Sequence, residues 1–213
     1  MENQPNNARQ LFLTVGSILA WFAVIFQFYL NLINRTQNLV EAIIRFFTYF
    51  TIQVNLLVAL CFTVLWLTRK SGRSNFFSSP KTQTAIAVYI GIVGITYNTI
   101  LRFTWNPQGW QRVVDELLHV VVPAFFILYW FLFASKNGLQ WKNIFPWLAY
   151  PFAYIIVILL RGSVSGFYPY PFIDVDALGY NRVLINCGGM FAAFLLVSLL
   201  FVAVAKMRGN EPR

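Results

Sequence analysis

The stretch VVDELLHVVVPAFFILYWFLFA, residues 113–134, decides the fold. As a helix rising 1.5 Å per residue it would run about 33 Å, enough to cross a hydrocarbon core of roughly 30 Å. It carries the only histidine of the chain, His119, and two acids near its start, Asp115 and Glu116. A charged group at the bilayer centre costs about 2.5–3.5 kcal/mol on insertion scales, so ionisable residues inside a span are functional suspects. Asp115 lies four residues before His119, on the same helical face. Pro123 has no N–H, so the carbonyl of His119 is expected to lose its helical partner and to accept from elsewhere.

Five further apolar runs of similar length flank this one: Leu11–Leu32, Ile43–Leu67, Gln83–Leu101, Asn143–Leu160 and Val183–Ala205. Pro146 and Pro151 interrupt the start of the fifth. With 58% hydrophobic and 18% aromatic residues and a mean hydropathy of +0.61, the composition excludes a water-soluble fold. The expected fold is all-α: one polytopic domain over residues 1–213, a bundle of six transmembrane helices. The first run is longer than a signal-peptide core and has no small-residue cleavage site after it, so it is expected to remain as a span. There is no internal repeat and no low-complexity tract.

The net charge of +9 is distributed as a topology signal rather than as a nucleic-acid surface. Threading six spans puts Arg9, Arg69, Lys70, Arg73, Lys81, Lys136, Lys142, Lys206, Arg208 and Arg213 on one side. Arg35, Arg45, Arg102, Arg112, Arg161 and Arg182 fall on the other, with Glu41, Asp115, Glu116, Asp174 and Asp176. The cation excess places both termini in the cytoplasm, in the cell membrane if the chain is bacterial. Trp66, Trp130, Trp141 and Trp147 then mark the cytoplasmic interface, and Trp105 and Trp110 the outer one. Cys61 and Cys187 fall at different depths, so no disulfide between them is expected. Two cysteines and one histidine exclude the usual metal and bis-histidine haem sites, and no cofactor is expected.

On this topology the polar side chains collect in the outer half of the spans. Gln27 and Asn31 end the first span; Thr48, Thr51, Gln53 and Asn55 open the second; Asn98 ends the third. His119 lies near the start of the fourth, Arg161 at the end of the fifth and Asn186 near the start of the sixth. The inner half offers mainly Ser and Thr, whose hydroxyls can bond back to their own helices, whereas carboxamides usually need partners across helices. A polar pocket open toward the outer leaflet is expected. Thr48, Thr51 and Asn55 should share one helical face. Thr51 and His119 are each seven or eight residues into their spans and so at matching depth.

A hydroxyl, an imidazole and a carboxylate at one depth suggest nucleophile, general base and tautomer-fixing acid: Thr51, His119 and Asp115. Asn55 or Asn98 would stabilise an oxyanion. Each residue also has a plainer reading. Thr51 would be a back-bonded helix residue, Asp115 an acid at a helix N-terminus, and Arg102, Arg112 and Arg161 snorkelling anchors. The last outer loop alternates aromatics and prolines, Gly166-Phe167-Tyr168-Pro169-Tyr170-Pro171-Phe172, and is expected to be stiff and to rest among headgroups. It would serve as an interfacial anchor or as a lid, with Tyr170 and Asp174 over the pocket and the acids facing Arg102 or Arg161.

Tyr49-Phe50-Thr51 opening the second span, Leu118-His119-Val120-Val121-Val122-Pro123 in the fourth, and the Gly166–Phe172 loop together resemble a known family. It is the androgen-induced gene / androgen-dependent TFPI-regulating protein family of membrane proteins, in particular its bacterial branch of predicted six-helix proteins. The resemblance spans most of the chain and rests on the order of short motifs. Animal members are threonine hydrolases that cleave fatty acid esters of hydroxy fatty acids with one intramembrane Thr and one His. The resemblance maps these to Thr51 and His119. Asn55 and Asp115-Glu116 depart from the animal pattern, so Asp115 as a third member comes from the residues and not from the family.

The expected function is therefore hydrolysis of a lipid ester within the membrane, with membrane lipids as partners and no nucleic acid. The alternatives are a small transporter or channel, and a non-catalytic scaffold or lipid-binding protein. A transporter would need a polar path through the inner half, which the sequence does not supply, and the inverted repeat common in such folds is missing.

Overall fold

The computed structural model describes residues 7–69, 75–104 and 106–209. Glu2, Lys70, Arg73, Trp105, Glu211 and Arg213 lie outside the described residues. The fold is all-α, with no strand among the described residues. Six helical stretches are long and apolar enough to cross a membrane: Asn7–Ile33, Phe50–Thr68, Pro80–Phe103, Gly109–Phe133, Trp141–Ser165 and Val175–Arg208. These helices identify an integral membrane protein. They group into two compact units, Met1–Asn137 and Gly138–Arg213.

The first unit holds α1 (Asn7–Ile33), α2 (Leu39–Thr48), α3 (Phe50–Thr68), α4 (Pro80–Thr99), α5 (Gly109–Glu116) and α6 (Val122–Phe133). The second expected span is not one helix. Tyr49, at φ −72° and ψ 123°, separates α2 from α3. The Nε2 of Gln53 donates to the Phe47 carbonyl across the break, at 2.8 Å. Asn38 caps α2 through the Glu41 N–H. The short α2 buries Ala42, Phe46 and Thr48 and exposes Leu39, Val40, Ile44 and Phe47. Thr48 therefore belongs to a different helix from Thr51 and Asn55, and the expected three-residue face reduces to two.

The most extensive pairing in this unit is α1 with α3. Gly16 makes it possible, since a Cβ there would come within 2.7 Å of the Phe62 ring. Ser17 and Thr63 hydroxyls meet at 2.8 Å across the same seam, and Trp21 Nε1 donates to Thr63 Oγ1 at 3.0 Å. α4 is the central element, with every residue from Gln83 to Val93 buried. Its apolar residues lie on all faces, as a helix surrounded by others requires.

Two of the expected interfacial tryptophans, Trp130 and Trp147, are buried instead, at 2% and 5% exposure. Trp130 donates its indole N–H to Thr84 Oγ1 at 2.9 Å, so it serves as a helix tie. Trp141 and Trp110 are exposed, in keeping with an interface role.

The second unit holds α7 (Ile144–Ser165) and α8 (Val175–Gly209). α7 runs unbroken through both prolines. Pro146 falls in its first turn, where an N–H has no helical acceptor, and only Pro151 interrupts the ladder. α8 is kinked at Gly179, whose φ of 74° suits glycine. The aromatic–proline loop folds onto its own unit. Tyr168 covers Gly162, where a Cβ would sit 2.0 Å from the ring, and Asn186 Nδ2 donates to the Phe172 carbonyl at 2.8 Å. Ile158, Ile173 and Val183 form the small core beneath.

Candidate functional site

Between α5 and α6 the chain leaves α geometry. Leu117–Val121 is a π-helical turn, in which one extra residue widens the helix. Its hydrogen bonds explain the change. The Val122 N–H reaches back to the Leu117 carbonyl, five residues away. The carbonyl of Leu118 would then need the N–H of Pro123, which does not exist. Asn55 fills the vacancy: its Nδ2 donates to the Leu118 carbonyl at 3.2 Å and to its own Thr51 carbonyl at 2.8 Å. The orphan satisfied from another helix is thus the Leu118 carbonyl, one residue before the expected one. The His119 carbonyl lies against α4 at Gly94, where a Cβ would approach it to 3.3 Å.

This turn carries His119 into contact with three partners. Thr51 Oγ1 lies 3.3 Å from Nε2. Nδ1 lies 2.9 Å from the Asp115 carbonyl and 3.2 Å from Asp115 Oδ1. The Asp115 carbonyl can only accept, so Nδ1 bears a proton, and in the neutral ring Nε2 then turns its lone pair toward the threonine hydroxyl. The third partner is Tyr97, whose ring stacks on the imidazole at 4.3 Å and 13°. Its hydroxyl donates to Asp115 Oδ2 at 2.5 Å. Thr51, Asp115 and Tyr97 are all buried, at 7%, 6% and 3% exposure. The buried carboxylate thus has the Tyr97 hydroxyl on Oδ2 and the imidazole within ion-pair distance of Oδ1.

Thr51 and His119 meet although neither lies at its expected position. Thr51 is the second residue of α3, and the fourth span begins at Gly109, ten residues before His119. As a first-turn residue Thr51 also sits at the positive end of the α3 dipole.

Asn55 and Asn98 are placed differently from a pair of oxyanion donors. Asn55 is fully buried and holds two carbonyls with its amide group, while its Oδ1 is a buried acceptor with no hydrogen-bond partner. In this state Asn55 braces the turn. Asn98 is exposed and donates to its own helix at the Gly94 carbonyl, 2.8 Å away. Arg102 does not reach for an outer-loop acid. It pairs with Glu116 at 2.7 Å, and its guanidinium carbon lies 4.9 Å from the centre of the Tyr97 ring.

Arg161, Tyr170 and Asp174 belong to the second unit. Arg161 Nη1 donates to Ser165 Oγ at 3.3 Å, and Tyr170 stacks on Phe172 at 5.3 Å. Asp174 Oδ1 accepts from the Ala177 N–H at 3.0 Å, capping the first turn of α8.

Tyr97 and Glu116 complete the site; the sequence gives no role to Glu116 beyond its place beside Asp115 and does not point to Tyr97. Tyr97 is three residues after Gly94, on the face where α4 approaches the π-turn, and that spacing is its only signal. Among the described residues no group of three or more His, Cys, Asp or Glu side chains is placed to hold a metal. Cys61 and Cys187 are free thiols. No protein-family model, no curated protein and no solved structure matches the chain.

Proposed function

We propose that the protein is a membrane-embedded lipid ester hydrolase in which Thr51 is the nucleophile and His119 the general base. The observation that carries this reading is the 3.3 Å approach of Thr51 Oγ1 to Nε2 of a histidine whose Nδ1 faces Asp115. The separation is at the long end for a hydrogen bond, as is common before substrate binds. The family resemblance of the sequence supports the same pair.

In the reaction, Oγ1 attacks the ester carbonyl carbon while its proton passes to Nε2. The tetrahedral oxyanion forms near the positive end of the α3 dipole, which favours it. The carbon–alkoxy bond then breaks, and the alkoxide leaves as an alcohol with the proton from Nε2. A water molecule attacks the acyl-threonine and gives a proton to Nε2; the acyl–Oγ1 bond then breaks, Nε2 returns the proton to Oγ1, and the acid leaves. Asp115 acts throughout as a positioning residue, holding the imidazole and stabilising its protonated form. An apolar ester entering sideways from lipid would need no charged funnel. The cation bias of the loops favours cytoplasmic termini, which puts the site toward the outer leaflet of the cell membrane.

A non-catalytic lipid-binding protein or scaffold is the competing reading. The observation in its favour is Asn55, which ties α3 to the π-turn and would serve a purely structural cluster equally well. Hydrolysis of a panel of lipid esters by purified protein, with Thr51→Ala and His119→Ala alongside, separates the two. Turnover that both folded variants lose supports the hydrolase. Turnover that survives both, or none at all, gives the cluster to the scaffold.

A further inference from the structure

We infer that Tyr97 is a positioning residue that locks His119 in the Nδ1–H tautomer, the opposite of the form a free imidazole favours in water. Its catalytic consequence rests on the hydrolase reading above, but the tautomer itself does not. Tyr97 acts on both members of the His–Asp pair. Nδ1 bonds the Asp115 main-chain carbonyl at 2.9 Å, and the Tyr97 hydroxyl, on Asp115 Oδ2 at 2.5 Å, keeps Oδ1 in place as the second acceptor, 3.2 Å from Nδ1. Rotation of the carboxylate would break the Tyr97 bond. Its ring lies nearly parallel to the imidazole, 4.3 Å away, so the histidine ring cannot turn out of plane without displacing a side chain that is only 3% exposed.

Tyr97 is itself held by the turn that follows α4. The Arg102 guanidinium lies near its ring, and Glu116 fixes Arg102. The chain of contacts therefore runs Glu116, Arg102, Tyr97, Asp115, His119, Thr51. An imidazole with Nε2 protonated would present a donor to Thr51 and take no proton from it. The lock is thus what makes the histidine a base toward that hydroxyl.

The single histidine makes the test direct, because protein labelled with 15N-histidine gives one imidazole. Nitrogen NMR in detergent micelles or nanodiscs, without substrate, should show wild-type His119 neutral with Nδ1 protonated and Nε2 bare. Tyr97→Phe keeps the ring and removes the hydroxyl, and should move population toward Nε2–H. Asp115→Asn should move it as well, which establishes that the label responds. On an ester substrate Tyr97→Phe should lower kcat about ten- to a hundredfold, the range of one charge-assisted hydrogen bond, with KM little changed.

An unchanged tautomer in folded Tyr97→Phe overturns the assignment. So does wild-type protein found mainly as Nε2–H, which needs no variant to fold. If the tautomer behaves as described and no ester is hydrolysed, the lock stands and the hydrolase reading falls. If esters are hydrolysed and the tautomer ignores Tyr97, the reverse holds.

Discussion

Two threonines on α3, Thr51 and Thr63, show what separates a helix tie from a reactive hydroxyl. Thr63 donates to the Ala59 carbonyl of its own helix and accepts from Ser17 and from Trp21. Its proton is held by a neutral carbonyl and its lone pairs by two donors, so nothing near it can accept that proton. Thr51 lies three turns away and has a ring nitrogen among its partners. The lone pair of that nitrogen is set by Asp115 on the other side of the ring. Thr51 is buried and Thr63 half-buried, and the residue type is identical. The difference lies in the basicity of the neighbour, and it is what a sequence alone cannot supply.

The sharpest way to break this comparison is to remove the pair. Thr51→Ala or His119→Ala should lower kcat/KM for a lipid ester by about a thousandfold or more, as loss of a nucleophile or its base does elsewhere. Equal loss in the double variant would show that the two act as one unit, and simple additivity would break the pair. Asp115→Asn should cost about a hundredfold or more in kcat while the protein still folds, because the amide can present its N–H toward Nδ1 and favour the wrong tautomer. Steady-state kinetics on folded variant checks this, and a wild-type rate would remove Asp115 from the mechanism.

Asn55→Leu leaves the Leu118 carbonyl without its donor. It should cost about 1–3 kcal/mol in thermal or chaotrope unfolding in detergent, with a smaller loss of activity as the π-turn shifts. Unchanged stability would mean that the turn holds itself. Thr63→Val sharpens the contrast from the other side. It should cost about 1 kcal/mol of stability from the lost ties and leave ester turnover at the wild-type level. A fall in turnover comparable to that of Thr51→Ala would erase the distinction between the two threonines.

The six apolar helices were legible because span length and hydropathy leave few alternatives at this composition. Boundaries were less so. The break at Tyr49 involves no proline or glycine, and the sequence around it reads as continuous apolar helix. The bond that spans it runs from the Gln53 side chain to the Phe47 carbonyl, and a glutamine in an apolar run does not announce that role. Pro146 and Pro151 made the opposite impression and proved compatible with one helix. The lone histidine and the acid four residues before it were visible because polarity is rare inside spans. Tyr97 was hidden, since a tyrosine among other aromatics has no distinguishing signal until its hydroxyl is seen on a buried carboxylate. Trp130 was misplaced for a related reason, because the rule that puts tryptophan at interfaces says nothing about an indole with a buried hydroxyl to meet.

The π-turn at Leu117–Val121 amounts to one surplus residue kept in a helix by a missing N–H below it and a borrowed amide beside it. A π-turn takes up its extra residue locally, so the helices on either side keep their faces. Deleting Val120 would let the turn close into regular α geometry with α5 and α6 left in place. The wide turn that holds the His119 ring between Thr51 and Asp115 would be lost, with every site side chain still present in the sequence. Along this segment, length is therefore as much a part of the site as composition. A shortened chain should be an inactive one whose helices still span the membrane.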